Sequence, residues 1–460
     1  MNTMEVDQTV VLDINNAIEI QKNLSEALDR LRNEVSLFKK QIGGSVFLSA
    51  SAEQLLRRNE TEPSLQHLQI NLLEQQLNEN VVKHLLGVIT QNQQIVNMFK
   101  NAYLTMEGLV NCLTIQIEEW QSQFQLYYAK LMAEPELEKI APRFAEVGQI
   151  LHKILHENIE SWGKMLQNCP AVIEEMMTEY ETRKSAFHNL TTRFIQSTFL
   201  VSEQGDFFIK TLKKRFPTFR LRILAADFCE NSTEVSAHFV AESDLKPCIN
   251  GDDLDIETLK RKELKITLDK KHKSLNKLEM STLKGKQKME CCFENLQFVD
   301  TFKRKQKKDS KVHEEKFRVV FITRMESKTC WTMSLPLVVI TASNQDIASL
   351  ASIMWQCFST KNVFSLEEVV PAELPWYSVA EMLKKKMSVI SKSHRSNLTK
   401  DNITHLKNRM FGVEDQPDDT PVSLTQFCCL AMSDGVDIFV LEMVPWYLQP
   451  DRRPSRGVLG

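Results

Sequence analysis

Two short stretches of this 460-residue chain hold side chains suited to reading a polyanion. The first is Lys303, Arg304, Lys305, Lys307 and Lys308, all within one hydrophilic segment. They cannot all point into a core, so they crown a loop, where cations can lie along phosphates and release counterions. The second is Ser343, Asn344 and Gln345, just beyond an apolar run that ends at Ile340. Asn and Gln carboxamides pair bidentately with adenine, and a serine hydroxyl can donate or accept. Charge around the first stretch is lopsided. Residues 258–311 carry 17 Lys and Arg against 7 Asp and Glu, inside a chain of net charge −3. A basic island in an otherwise acidic chain points to a local surface facing a polyanion. The bland alternative is a solvated loop or a nuclear import signal, and the lysines alone leave both open.

Other chemistries lack their parts. No nucleophile–base pair, paired carboxylates or metal-ligand cluster stands at a working spacing in the sequence. His152 and His156 are spaced i, i+4 but lack the glutamate of a zinc-protease helix. The pairs Cys291–Cys292 and Cys428–Cys429 have the wrong spacing for a zinc knuckle and read as reduced thiols of a cytosolic or nuclear protein. Thirteen glycines leave little for phosphate-cradling loops, and no Walker or dinucleotide fingerprint is present. The expectation is therefore no enzyme, no cofactor and no metal. No window approaches twenty uncharged apolar residues, so no membrane span is expected, and the acidic start is not a secretory signal.

The elements that must position the two stretches fall into two kinds. Ile14, Ile18, Leu24, Leu28, Leu31, Val35, Phe38 and Ile42 share one helix face, with Gly43 and Gly44 as a stop. A longer helix follows, with Leu85, Ile89, Asn92, Val96, Phe99, Tyr103, Met106 and onward to Leu131 in steps of four and three. Asn92 is its one polar intruder, a register-fixing residue. Pro135 and Pro170 set off a third and a fourth helix. Four helices with apolar stripes and short turns predict an antiparallel bundle. From about residue 201 the period becomes that of strands, as Phe219, Leu221 and Ile223 alternate with Arg220 and Arg222. Residues 207–215 and 219–225 read as paired strands, and 235–240, 263–268, 290–298 and 317–321 add more. Several short strands with turns between them predict a β-sandwich. Val338, Val339 and Ile340 read as a strand buried on both faces, and Ile347, Leu350, Ile353 and Met354 as one face of a helix.

Some of these stretches resemble a known family. Ser334-Leu-Pro-Leu-Val-Val-Ile340, then Asn344-Gln345 and Ala351-Ser-Ile-Met-Trp355, resembles the end of the DNA-binding domain of STAT proteins, the signal transducers and activators of transcription. Phe194-Ile-Gln-Ser-Thr-Phe-Leu-Val-Ser-Glu-Gln204 is similar to the exit of the family's coiled-coil domain. The lysine run and the following Glu314-Glu315 resemble its basic loop and the strand after it. Val370-Pro-Ala-Glu-Leu-Pro-Trp376 and Asn397-Leu-Thr-Lys-Asp-Asn402 resemble its linker.

The resemblance implies a four-helix coiled-coil domain over 1–198 and an immunoglobulin-like (p53-like) β-sandwich DNA-binding domain over 199–362. An incomplete α-helical linker over 363–429 and an unassigned tail over 430–460 would follow. It implies a transcription factor of cytokine (JAK-STAT-type) signalling, in cytoplasm and nucleus, with double-stranded DNA as partner. The implied contacts are Lys303, Arg304, Lys305, Lys307, Lys308, Glu315, Ser343, Asn344 and Gln345. Ala342 and Ala226 stand where relatives carry polar or basic contacts, so the preference is expected to depart from the family's TTC…GAA repeat. After Cys428 the resemblance stops, and the chain reads as a truncated member without the Src-homology 2 domain or phosphotyrosine tail. Binding would then be weak or regulatory, and a STAT-type dimer would belong to a full-length form. The second reading is an interaction module, whose bundle competes for or scaffolds full-length partners.

Overall fold

The computed structural model describes residues 3–56, 65–170, 174–211, 216–229, 232–251, 253–268, 276–282, 289–300, 302, 314–325, 328–341, 345–390, 398–414 and 416–430. The chain divides into two compact units, Met1–Thr114 with Arg143–Ile195, and Ile115–Pro142 with Gln196–Gly460.

Helices build the first unit: α1 (Thr3–Leu56), α2 (Leu65–Tyr128), α3 (Ala141–His152), α4 (Glu160–Gln167) and α5 (Glu174–Thr198). A π-helical segment, Lys153–Ile159, joins α3 to α4. Leu24, Leu28, Leu31, Phe99, Trp162 and Phe187 are sealed in its core, and Phe99 stacks on Trp162 with ring centroids 5.0 Å apart. Asn92 is buried and accepts a hydrogen bond from Trp162 Nε1 at 2.9 Å, so the polar intruder fixes which turn of α4 it meets. A Cβ on Gly163 would fall 2.4 Å from the Tyr180 hydroxyl, so glycine there lets Tyr180 close onto α4.

Two sequence expectations shift in this unit. α1 runs through Gly43 and Gly44 to Leu56. Each interior glycine costs about 1 kcal/mol, but unlike proline it keeps its N–H and does not block the turn. Near the start of α2, Val88 is buried and Ile89 exposed. A straight helix of 3.6 residues per turn drifts against a 3.5 repeat, so the buried stripe moves by one position.

The second unit holds strands β1 (Phe199–Gln204), β2 (Phe208–Lys210), β3 (Phe219–Ile223) and β4 (Ser232–Ala241), then helix α6 (Glu242–Leu245). Next come β5 (Ile249–Asn250), β6 (Asp253–Leu254), helix α7 (Ile256–Lys262), β7 (Ile266–Thr267), β8 (Lys277–Thr282), β9 (Met289–Phe293) and β10 (Gln297–Phe298). β11 (Lys316–Met325), β12 (Lys328–Met333), β13 (Leu337–Ile340) and helix α8 (Asp346–Ser359) complete the β-rich part. The linker part has β14 (Glu373–Pro375), α9 (Trp376–Ile390), α10 (Lys400–Phe411), β15 (Pro421–Ser423) and α11 (Leu424–Leu430).

Among the described residues nine strands join in one sheet, eight along the path β1-β3-β9-β8-β4-β11-β13-β2 and β12 off it on β11. The path folds over itself. Phe219 of β3 and Phe293 of β9 lie 5.5 and 5.3 Å from Phe321 of β11, although those strands are far apart along the path. Two faces therefore share one aromatic core, which is the packing of a sandwich. β2 and β3 do not pair with each other as the sequence suggested. β3 lies between β1 and β9, while β2 runs parallel to β13. The continuous apolar run of β13 suits a strand buried on both faces, and it takes β2 on one edge and β11 on the other.

The last turns of α2 pack with the β unit rather than only with helices. Gln125, 1% exposed, donates from Nε2 to the carbonyls of Cys357 (2.9 Å) and Thr360 (2.8 Å) and accepts from Val363 N at 2.9 Å. Gln204 Nε2 donates to the Tyr128 hydroxyl at 2.7 Å.

Candidate nucleic-acid interface

β11 and β13 are antiparallel, with Lys316 opposite Val338 and Phe317 opposite Leu337. Antiparallel neighbours run in opposite senses, so the start of β11 lies beside the end of β13. The chain enters β11 from the lysine run and leaves β13 toward the Ser-Asn-Gln stretch. Lys303, Arg304, Lys305, Lys307, Lys308, Ser343 and Asn344 lie outside the described residues, but the flanks of both loops are described. Phe302 rests on Phe298 and Phe317, with centroids 5.2 and 5.5 Å apart, and Glu314 leads back toward Lys316. Thr341 and Gln345 bound the second loop. Both loops therefore leave the same end of the sheet.

A third loop leaves there too. β2 runs parallel to β13 with Lys210 opposite Ile340, and Thr211 N donates to Ile340 O at 3.0 Å. The next residues are Leu212, Lys213, Lys214 and Arg215, also outside the described set. The chain returns at Phe216, whose ring lies 4.8 Å from Phe298. Sequence reasoning did not single out this triplet. Three consecutive cations were visible, but only the parallel β2–β13 pairing brings the strand end before them to the end of β13.

The basic island, by contrast, divides. β4 is antiparallel to β11, with Ala241 opposite Phe317, and β8 is antiparallel to β4, with Ser281 opposite Ser232. The connection after β8, which contains Lys284, Lys286 and Lys288, thus begins at the opposite end of the sheet.

The two described candidates take supporting positions. Glu315 is buried, at 8% exposure, immediately before β11. Gln345 closes its own loop: Oε1 accepts from Thr341 N at 2.9 Å and from the Thr341 hydroxyl at 3.3 Å. Bidentate adenine recognition needs the carboxamide oxygen together with the nitrogen, and here the oxygen is engaged. Asp346 follows and pairs with Lys210 Nζ at 2.9 Å, tying the first turn of α8 to β2. Helix α8 is almost wholly buried from Ala348 to Cys357, so Gln345 stands at the head of a buried helix. Lys316, at the foot of the basic loop, donates to Ser352 O at 3.4 Å, and burial holds its ammonium pKa below the usual lysine value. It is packed under α8, not offered to a phosphate.

Among the described residues no three His, Cys, Asp or Glu gather as metal ligands, and no helix is long and apolar enough to cross a membrane. His156 lies beside Glu160 at 3.6 Å, within its own helix.

Residues 204–340 match the family described as STAT protein, DNA binding domain. Residues 353–438 match the STAT linker domain, a match that continues beyond Cys428. The protein described as signal transducer and activator of transcription 1 from Caenorhabditis briggsae is 26% identical over 123 residues. That stretch covers 26% of this chain and 16% of the relative's length.

Proposed function

We propose, from membership of the STAT family over residues 204–340 and 353–438, that this chain is a transcription factor that grips duplex DNA at one end of its β unit. The observation that supports the reading is the antiparallel register of β11 and β13, which pairs the strand that follows the lysine run with the strand that precedes the Ser-Asn-Gln stretch. In this mechanism the cations of 303–308, joined by Lys213, Lys214 and Arg215, lie along phosphates and set the register on the duplex. Ser343 and Asn344 reach base edges, and Gln345 and Glu315 hold the loop feet. Neutralising about 4–6 phosphates gives a salt-sensitive affinity on the order of 10⁻⁴–10⁻⁶ M before base contacts add to it. Cytokine-type signalling and a course from cytoplasm to nucleus follow from the family resemblance and complete the proposal.

Fluorescence anisotropy with a labelled duplex tests it. Replacing Lys303, Arg304, Lys305, Lys307 and Lys308 together by Gln should weaken binding at least tenfold in about 0.15 M salt. It should also make the slope of log K against log salt shallower by about 3–5. Asn344→Ala should change sequence preference and leave that slope alone. An unchanged slope in the five-fold variant would remove the loop from the interface.

A second reading has its own observation. Val82, Leu86 and Ile89 are exposed by 53, 58 and 37% at i, i+4, i+7 spacing on α2, an apolar stripe of the kind a partner helix covers. If the chain is chiefly an interaction module, Leu86→Glu should abolish partner capture without touching DNA retention.

A further inference from the structure

Toward the other end of β4 and β11, away from the three loops, the second unit contains a cavity of about 890 Å³. Its walls include β4, β11, residues of α7 and the start of β8. Along β4, Val235, Ala237 and Phe239 are core residues, whereas Glu234, Ser236 and His238 line the cavity. That alternation brings a hydroxyl and an imidazole together on one face. Ser236 Oγ lies 3.0 Å from His238 Nε2. On its other side the ring meets Glu263: His238 Nδ1 bonds Glu263 Oε2, a carboxylate carried just beyond α7. His238 is 6% exposed, so its ring is held in place, while Ser236 is half-buried and faces the cavity. Lys260, Lys277 and Arg324 also line the cavity, and Arg324 has no ion pair among the described residues.

Hydroxyl, base and orienting carboxylate in sequence are the parts of an activated nucleophile. We infer that Ser236 is such a nucleophile, and that the cavity takes esters with a negatively charged acyl or leaving group. Ser236 Oγ attacks the ester carbonyl carbon as its proton passes to His238 Nε2. The bond to the leaving alcohol breaks, and His238 returns the proton to the departing oxygen. Water then attacks the acyl-serine as its proton passes to His238, the bond from the acyl carbon to Ser236 Oγ breaks, and His238 returns the proton to Oγ, releasing the carboxylic acid and restoring Ser236. Glu263 is a positioning residue, keeping the proton on Nδ1 so that Nε2 accepts. Asn276 Nδ2 already donates to Ala237 O at 2.8 Å and Lys277 Nζ to Glu234 Oε1 at 2.6 Å, so Arg324 is the donor left to meet charge on the carbonyl oxygen. Flexible cations are a poorer oxyanion site than fixed backbone amides, so acylation is slow and best seen by trapping. None of this rests on the DNA reading.

The test treats the full 460-residue chain with a fluorophosphonate probe and maps the label by peptide mass spectrometry. The expected label is on Ser236 and disappears in Ser236→Ala. His238→Gln should slow labelling by about 100-fold or more. Glu263→Gln should slow it roughly tenfold and shift its pH profile, with partial recovery in Glu263→Asp, a rescue that a merely structural carboxylate would not give. Arg324→Gln should slow hydrolysis of 4-nitrophenyl hemisuccinate more than that of 4-nitrophenyl acetate. A wild-type chain unlabelled at Ser236, or a folded His238→Gln chain labelled at the wild-type rate, overturns the inference. Thermal melting reports which variants fold. If His238→Gln does not, wild type against Ser236→Ala decides.

Discussion

Arg318 has no solvent exposure, yet it carries a charge that the fold must satisfy. Nε pairs with Glu242, Nη1 donates to Ser334 O at 2.7 Å and Nη2 to Val363 O at 2.9 Å. Glu242 also lies 3.5 Å from Gln356 Nε2 of α8, so one buried network ties β11, α6 and α8. Glu242→Ala should cost about 3–5 kcal/mol, because it leaves a sealed guanidinium without its counter-charge. Arg318→Met together with Glu242→Gln should cost clearly less, and urea unfolding of both variants measures the difference. Lys386 is a starker case. It is buried, its Nζ has the Met354 sulfur at 3.6 Å, and burial lowers its pKa to about 7. Unfolded, it titrates near 10.4. Between about pH 7 and 10 the unfolded chain binds a proton that the folded chain lacks, so stability rises with pH across that window. Below about pH 7 both states are protonated and the full cost of the buried charge is present. Lys386→Met should abolish that slope and stabilise the protein at neutral pH by a few kcal/mol, checked by urea midpoints from pH 6 to 10.

Local signals decided some elements and long-range ones others. Thr399 caps α10, with Asn402 N donating to Oγ1 at 3.2 Å. Asn402 also returns the favour that a glutamate usually provides, accepting from Thr399 N at 2.9 Å, so the reciprocal box forms with a shorter side chain. Thr399→Ala should cost about 1 kcal/mol, with faster hydrogen exchange confined to the first turn of α10. The apolar stripes of α1 and α2 were legible for the same reason, apart from Ile18 and Ile89, which are exposed: neighbours three and four residues apart face one way whatever lies beyond. Their ends were less so, since glycine at 43 and 44 weakens a helix without forbidding it. Strand pairing was least legible. Nothing local to residues 208–210 says that their partner is β13, more than a hundred residues on.

For the molecule as a whole, the proposed DNA contact predicts that positive charge counts at one end of the β unit. Lys213, Lys214 and Arg215 replaced by Gln should weaken duplex binding and flatten its salt dependence further in the loop-neutralised background. The same replacement of Lys284, Lys286 and Lys288, whose connection starts at the opposite end, should leave anisotropy titrations unchanged. The sequence by itself determined the order of helical, β-rich and helical parts, most of the helix faces and the α10 cap. Each of these depends on residue type and on neighbours within a turn or a strand. Tertiary structure alone decided that the described flanks of three connections share an end, that β8 finishes at the opposite end, and that Gln345 and Lys316 support rather than reach outward. It also brought Glu263 to His238, which strand alternation had already set beside Ser236. Those facts depend on strand register between segments distant in the chain, and register is set by the burial of whole faces, not by any residue's own preference.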